Sequence, residues 1–239
     1  MLILLLIQFS FQPGHYLANA SLPVLDSSAN QLNFAAAHTE NMISLSYHRP
    51  YGIPEFDLVS IECHNTDLQI GLTFSHFGFD LYEESAFSIW RSLSLSSVAI
   101  GMKYNLKLLN STENLKRSAH SASVQISQQL SSFFRLQVTS EHILAASSEF
   151  ESSYDLSLAL EKQMALVQLN IRYLADYYFP ALIVRRKMSI LTVTASYLFK
   201  EDKIGAGLAL TLDNYKINLA FSVHNALGNS HALGIAFFY

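Results

Sequence analysis

The chain has 239 residues, of which 50% are hydrophobic and 14% charged, with a formal net charge of -4 and a pI near 6.1. Soluble domains carry about 25% charged residues, so part of this apolar surface must face something other than water. The charge balance supplies no basic field for nucleic acid, which excludes that partner class, and the single Cys63 excludes an internal disulfide and a cysteine-based metal cluster. Cys63 reads instead as a small apolar residue on a strand.

The chain opens with an apolar stretch from Leu2 to Phe11, followed by Gln12-Pro13-Gly14 and then Ala18-Asn19-Ala20 before Ser21. An apolar region of that length ahead of an Ala-x-Ala site is the pattern of a cleaved export signal, too short for a transmembrane helix. Residues 1–20 contain no Lys or Arg, and a misplaced start codon that removed a basic leader would account for the gap. The expectation is a signal over 1–20, a periplasmic lead or small lumen plug over 21–41, and one domain over 42–239. After the signal there is no run of about 18 apolar residues able to span a bilayer as a helix. Only helices and closed barrels satisfy every backbone polar group within lipid, so an apolar chain without spanning helices points to a barrel.

From residue 42 onward the hydrophobicity alternates with a period of two, the strand signal. Val98, Ile100, Met102, Tyr104 and Leu106 alternate with Ala99, Gly101, Lys103, Asn105 and Lys107. Further on, Tyr154, Leu156, Leu158 and Leu160 alternate with Asp155, Ser157, Ala159 and Glu161. Val167, Leu169, Ile171 and Tyr173 alternate with Gln168, Asn170 and Arg172. Leu191, Val193, Ala195, Tyr197 and Phe199 share a face, as do Ile204, Ala206, Leu208, Leu210 and Leu212. Asp213-Asn214 then makes a tight hairpin, and Tyr215, Ile217, Leu219, Phe221 and Val223 alternate with Lys216, Asn218, Ala220, Ser222 and His224.

Such faces also suit a soluble sandwich or a lipocalin, with the apolar side inward. The polar faces separate these cases. They consist mainly of Ser, Thr, Asn, Gln, Gly and Ala rather than Lys and Glu, which suits a wet or plugged lumen. Tyr104, Tyr154, Tyr173, Tyr197, Phe199, Tyr215, Phe221 and Tyr239 lie on the apolar faces, several near strand ends, where membrane interfaces favour aromatic girdles.

The strands fall at about 42–49, 56–64, 67–76, 80–91, 95–108, 119–128, 132–142, 150–162, 164–175, 179–187, 189–200, 203–213, 215–224 and 230–239. The fold expected is an all-β, closed antiparallel transmembrane β-barrel of about fourteen strands, with twelve as the alternative. Two regions leave that choice open. Residues 118–143 also read as a helix or one bent strand, and Glu83-Glu84 interrupts the segment 80–91. An even count returns both termini to the periplasm. Short turns at Asn65-Thr66, Lys162-Gln163, Arg186-Lys187-Met188 and Asp213-Asn214 then fall on the periplasmic side. Longer loops at Pro50–Glu55, Leu109–Ser118, Ile143–Glu149 and Asp176–Tyr178 fall outside, as in bacterial barrels.

In the last strand, Leu233, Ile235, Phe237 and Tyr239 share a face. An aromatic carboxy-terminal residue with apolar residues at every second position before it resembles the signal read by the bacterial barrel-assembly machinery. Ser230–Tyr239 is thus the expected point of contact, and membrane lipid and lipopolysaccharide are the expected surroundings. Three further segments carry a family resemblance: Ser46-Tyr47-His48-Arg49-Pro50-Tyr51-Gly52-Ile53-Pro54-Glu55, Phe77-Gly78-Phe79-Asp80-Leu81-Tyr82-Glu83-Glu84, and Ser222-Val223-His224-Asn225-Ala226-Leu227-Gly228-Asn229-Ser230-His231. They resemble the short barrels related to the long-chain fatty-acid transporter family and the barrels associated with type IX secretion in Bacteroidetes, Chlorobi and their relatives. That resemblance implies fourteen strands, an N-terminal segment tucked into the lumen, a gated channel for hydrophobic molecules, or a place in a secretion complex.

Lumen-facing charge supplies the candidate site. Lys103, Lys107, Arg135, Arg172 and Lys216 share the inward parity with Asp155, Glu161 and Asp213. Lys or Arg facing mid-bilayer lipid costs roughly 2–4 kcal/mol, so inward placement serves either paired charges that brace the wall or a lining that selects a solute. His224, two positions after Ser222, also raises an acyl hydrolase with Asp155 or Glu161 as the acid. Those enzymes present the nucleophile to lipid, whereas here both residues point inward. His48, His64, His76, His120, His142 and His231 occur singly, without metal-ligand spacing, and no cofactor motif is present. A channel for small molecules, hydrophobic ones included, is the expected function. A non-channel barrel of a secretion complex and an envelope hydrolase are the alternatives.

Overall fold

The computed structural model describes residues 34–35, 40–53, 57–79, 82–111, 116–145, 152–174, 176–200 and 202–239. The expected signal over 1–20, and the lead over 21–41 except Phe34, Ala35, Glu40 and Asn41, lie outside the described residues.

Fourteen antiparallel strands form one closed barrel: β1 (Met42–Arg49), β2 (Leu58–Asn65), β3 (Ile70–Phe79), β4 (Tyr82–Leu95), β5 (Val98–Ser111), β6 (Lys116–Ser131), β7 (Phe134–Ala145), β8 (Ser153–Lys162), β9 (Ala165–Leu174), β10 (Tyr177–Met188), β11 (Leu191–Leu198), β12 (Lys203–Leu212), β13 (Tyr215–His224) and β14 (Gly228–Phe238). Each strand pairs with its sequence neighbours, and β1 closes the ring on β14 from Met42 opposite Phe238 to Arg49 opposite His231. Closure leaves no unpaired edge, the condition for strands to lie in lipid. Fourteen, not twelve, is therefore the strand number.

Both ends of the barrel wall meet on one rim, here called the terminal rim; the opposite one is the distal rim. Turns at the terminal rim are short. Ser96, Gln163, Ser189 and Asp213 each take a positive φ in the first position of a two-residue turn, the geometry whose twist matches a hairpin. Some expected boundaries shift. Arg186, Lys187 and Met188 are the end of β10 rather than a turn, because Ser189-Ile190 supplies it; likewise Gln163-Met164 replaces Lys162-Gln163, and residues 66–69 replace Asn65-Thr66. Tyr177 and Tyr178 belong to β10, which leaves Asp176 in a short distal turn.

The region 118–143 forms no helix. It splits at a turn on Ser132-Phe133 into the ends of β6 and β7. Its alternation was hard to read because the register shifts between Ala122 and Val124, opposite His142 at φ 57. The extra residue of such a bulge places consecutive side chains on one face, and Glu141 and His142 are both buried.

Apolar side chains face outward all round: Leu45, Ile61, Leu72, Ile89, Met102, Ile126, Val138, Leu156, Leu169, Val184, Leu208, Leu219 and Ile235 are exposed. A soluble barrel would hide that face, so the lipocalin alternative is excluded. Outward tyrosines gather toward the two rims, where amphipathic rings are favoured. At the distal rim, Tyr173 stacks near Tyr154 and Tyr178 with centroids 6.5 and 5.1 Å apart. Its hydroxyl donates to Asp176 at 2.8 Å, and Tyr197 donates to Asp202 at 2.8 Å. At the terminal rim Tyr215, Phe237 and Tyr239 form a second set.

Candidate functional site: the lumen

Period-two alternation sends the polar half of each strand inward. The inward side chains of β4 to β9 are long and joined across the strands. Lys107 on β5 pairs with Glu84 on β4 at 3.2 Å, both side chains 4% exposed. Lys103 reaches over β6 to Glu141 on β7 at 2.8 Å, and Ser123 beneath it donates to the same carboxylate at 2.6 Å. Arg172 on β9 grips Asp155 on β8 through Nε at 2.8 Å and Nη2 at 3.1 Å. At the terminal rim Arg135 approaches Glu161 at 3.8 Å, more openly, and also donates to Gln129 at 3.2 Å.

Hydroxyls and amides fill the spaces between these pairs. Ser88 donates to Asn105 at 2.8 Å, Asn105 donates to Ser121 at 3.2 Å, and Ser121 bonds His142 at 2.6 Å. Gln125 is wholly buried; its amide donates to Thr139 at 2.7 Å while its carbonyl accepts the backbone N–H of Ala35 at 2.8 Å. Phe34 and Ala35 are wholly buried too. The Lys103 ammonium stands 4.8 Å from the centre of the Phe34 ring, within cation–π range. Their backbone lies so close to Gly101 that a Cβ there would meet Phe34 O at 2.5 Å. Since Gly101, Lys103 and Gln125 all point inward, these two residues of the lead sit within the lumen against β5 and β6. A second glycine serves the same wall, because a Cβ at Gly71 would strike the Trp90 ring at 2.0 Å.

Of the expected site residues, Lys103, Lys107, Arg135, Asp155, Glu161 and Arg172 are thus drawn into paired charges on the inward face. Lys216 lies on the inward face of β13 near the terminal rim. His224 lies at the distal end of that strand. Its Nδ1 accepts the backbone N–H groups of Ala226 and Leu227 at 3.0 and 3.2 Å, which ties it to the turn rather than to Ser222. Asp155 and Glu161 are engaged elsewhere, so no Ser-His-carboxylate set is assembled. Among the described residues no group of three His, Cys, Asp or Glu could hold a metal.

Glu84, Glu141, Lys203, Arg185 and the seat of Phe34 are lumen features that do not stand out in the sequence, and His48 stands out there only as a lone histidine. Parity alone marks His48, Lys203 and Arg185 as inward, because they alternate with Tyr47, Ile204 and Val184. Glu84 was obscured by Glu83 beside it, which faces out and accepts a bond from Asn110 at 3.4 Å.

The chain is similar to several solved outer-membrane barrels. The Acinetobacter baumannii outer membrane protein Omp33 superposes with a TM-score of 0.57 at 7% identity, covering 85% of this chain and 99% of that one. The KdgM porin gives 0.50 at 7%, covering 83% and 99%. A mutant of the Rh. blastica porin gives 0.50 at 10%, covering 84% and 99%. No family model matches the sequence, and no curated protein does. Identities this low establish the fold alone: a closed transmembrane barrel of the outer-membrane type. None of these three names singles out a fatty-acid transporter or a secretion-associated barrel.

Proposed function

We propose that this chain is a non-enzymatic channel of the bacterial outer membrane, with its terminal rim in the periplasm, that passes small hydrophilic solutes. The observation that carries this reading is the reversal of polarity across the wall. Every strand turns apolar side chains outward, while most inward positions carry Ser, Thr, Asn, Gln, small or charged groups, with a minority of apolar ones such as Trp90, Phe77, Ile183 and Leu198. A polar lining favours water-soluble cargo over the hydrophobic molecules that the family resemblance implies. The lead acts as a constriction, its Phe34 and Ala35 held by Lys103 and Gln125. Export by a signal over 1–20 and assembly through Ser230–Tyr239 belong to the same reading.

Reconstitution of the full chain in planar bilayers tests the channel. Discrete conductance steps are expected, with longer or larger openings in Phe34→Ala. Absence of conductance from both proteins at every load would overturn the proposal.

A further inference from the structure

The strand register orders the outward face of β8, β9 and β10 in rows. At the terminal rim Lys162 on β8 lies opposite Ala165, the first residue of β9, and Arg186 on β10 lies opposite that same Ala165. The next row toward the membrane centre is Leu160, Val167 and Val184, each exposed. Leu158, Leu169 and Leu182 follow, then Leu156, Ile171 and Pro180, and Tyr154, Tyr173 and Tyr178 close the column at the distal rim. Strand β9 makes this crossing in ten residues, the length that a tilted strand needs to span a bilayer. One sector therefore runs from two cations, through three apolar rows, to an aromatic girdle.

The cation row belongs to this sector. On β12, β13 and β14 the row at the same rim is Leu212, Tyr215 and Phe237. Elsewhere on the outward face Arg49 is clasped by Asp57, and Arg91 has Ile70 and Met102 as its cross-strand neighbours. Lys162, Ala165 and Arg186 are all exposed, and among the described residues neither cation has an ion-pair partner. Glu161, beside Lys162 in the chain, has the opposite parity and pairs with Arg135. Among the strand residues the one carboxylate of outward parity is Glu83, at the distal rim; Asp67 and Asp213 occupy the turns after β2 and β12. The two turns that flank the row are apolar at their tips, with Met164 and Ile190 58% and 52% exposed, where water would favour polar residues.

Adjacent strands lie about 4.8 Å apart, so the Lys162 and Arg186 backbones are separated by about 10 Å across Ala165. Both side chains are long enough to lean toward each other, and the methyl of Ala165 leaves the space between them open. Two like charges so placed repel, and what relieves them is an anion that accepts from an ammonium and a guanidinium at once, as a phosphate does. The apolar rows below and the apolar turn tips beside the pair suit a phosphate that carries hydrocarbon. We propose that Lys162 and Arg186, astride Ala165, bind the headgroup phosphate of an anionic phospholipid, whose acyl chains lie along Leu160, Val167 and Val184 and the rows beyond. The choice of a phospholipid over lipid A rests on the terminal rim facing the periplasm; the site itself does not depend on conduction.

The test uses the full chain folded in detergent, titrated with phosphatidylglycerol and read by native mass spectrometry. Diacylglycerol with the same acyl chains is the probe that lacks phosphate. Saturable retention of phosphatidylglycerol, and none of diacylglycerol, is expected. Lys162→Gln and Arg186→Gln should each weaken retention about fivefold, and the two together about twentyfold. Lys162→Arg should keep it, and Arg91→Gln, at a cation without a companion, should leave it unchanged. Lys162→Met with Arg186→Met reports the same loss should the first double variant fail to fold. Equal retention of diacylglycerol, or wild-type retention in a folded double variant, overturns the site. Retention of lipid A in preference to phosphatidylglycerol overturns the phospholipid assignment. Saturable, phosphate-dependent retention by a protein that shows no conductance would support the site and count against the channel alone.

Discussion

Between β4 and β9 the lumen holds charge in pairs, Glu84 with Lys107, Glu141 with Lys103, and Asp155 with Arg172, each within 3.2 Å. Across the lumen, from β10 round to β1, inward cations occur on strands that offer no carboxylate, set among glycines and alanines. The same period-two grammar writes both walls, so the difference lies in which side chains the inward positions carry. Paired charges fill space and tie strands together. From β12 to β14 the inward positions are mostly short, among them Gly205, Gly207, Ala220, Ala232 and Gly234, and basic groups occur only toward the rims. The first wall reads as a brace and the second as a smoother face of short side chains.

The largest expected effect lies in the brace. Glu84→Ala removes the carboxylate paired with the buried Lys107 ammonium, and unfolding in vesicles should become easier by about 3–5 kcal/mol; a loss below about 1 kcal/mol would show that the pair is solvated and structurally idle. Next comes the contrast between the two faces of one strand. Leu219→Arg, facing lipid from β13, should cost about 2–4 kcal/mol. Its inward neighbour changed by Ala220→Ser should cost under about 1 kcal/mol. Equal costs would mean that the outer face does not meet lipid.

Gln125→Ala cuts the tie between the lead and the braced wall. It removes the bonds to Thr139 and to the Ala35 N–H, so stability should fall by about 1–3 kcal/mol and channel open time should rise. Unchanged gating would detach the lead from the constriction.

The smallest effect concerns a clasp at the distal rim. Arg49 donates to Asp57 from Nε and Nη2, each at 2.7 Å, and these bonds hold the Asp57 carboxyl below the ordinary carboxylate range. A carboxyl whose pKa is depressed in the folded state adds stability above its unfolded pKa and loses it as pH falls through the lower folded value. The clasp is therefore intact at neutral pH and opens only under acid. A carbon-13 NMR titration of Asp57 should give a midpoint below that of a free aspartate, returning to the ordinary range in Arg49→Gln. An ordinary midpoint in the unaltered protein would remove the clasp.

Much of this was legible in the sequence. Strict alternation in β12 and β13 fixed which residues face lipid, because one face of each strand is uniformly apolar, and it placed Lys103, Asp155, Arg172 and Lys216 inward. Their partners were less visible. Lys103 meets Glu141 over an intervening strand, a contact that depends on the stagger of three strands and on the His142 bulge, neither of which a one-strand pattern contains. The seat of Phe34 was equally hidden, since it depends on Gly101 lacking a Cβ some 67 positions along the chain. The absence of acid from β10 to β14 and β1 was present in the sequence. It acquires meaning only once β1 closes on β14 and makes those strands one continuous surface.

The brace is tested most directly by a double-mutant cycle on Glu84 and Lys107, read as unfolding free energy in vesicles. Glu84→Gln and Lys107→Gln should each destabilise the barrel, and the double variant should lose less than the sum of the two, with a coupling of about 1 kcal/mol or more. Additive losses would contradict the pairing that defines this wall.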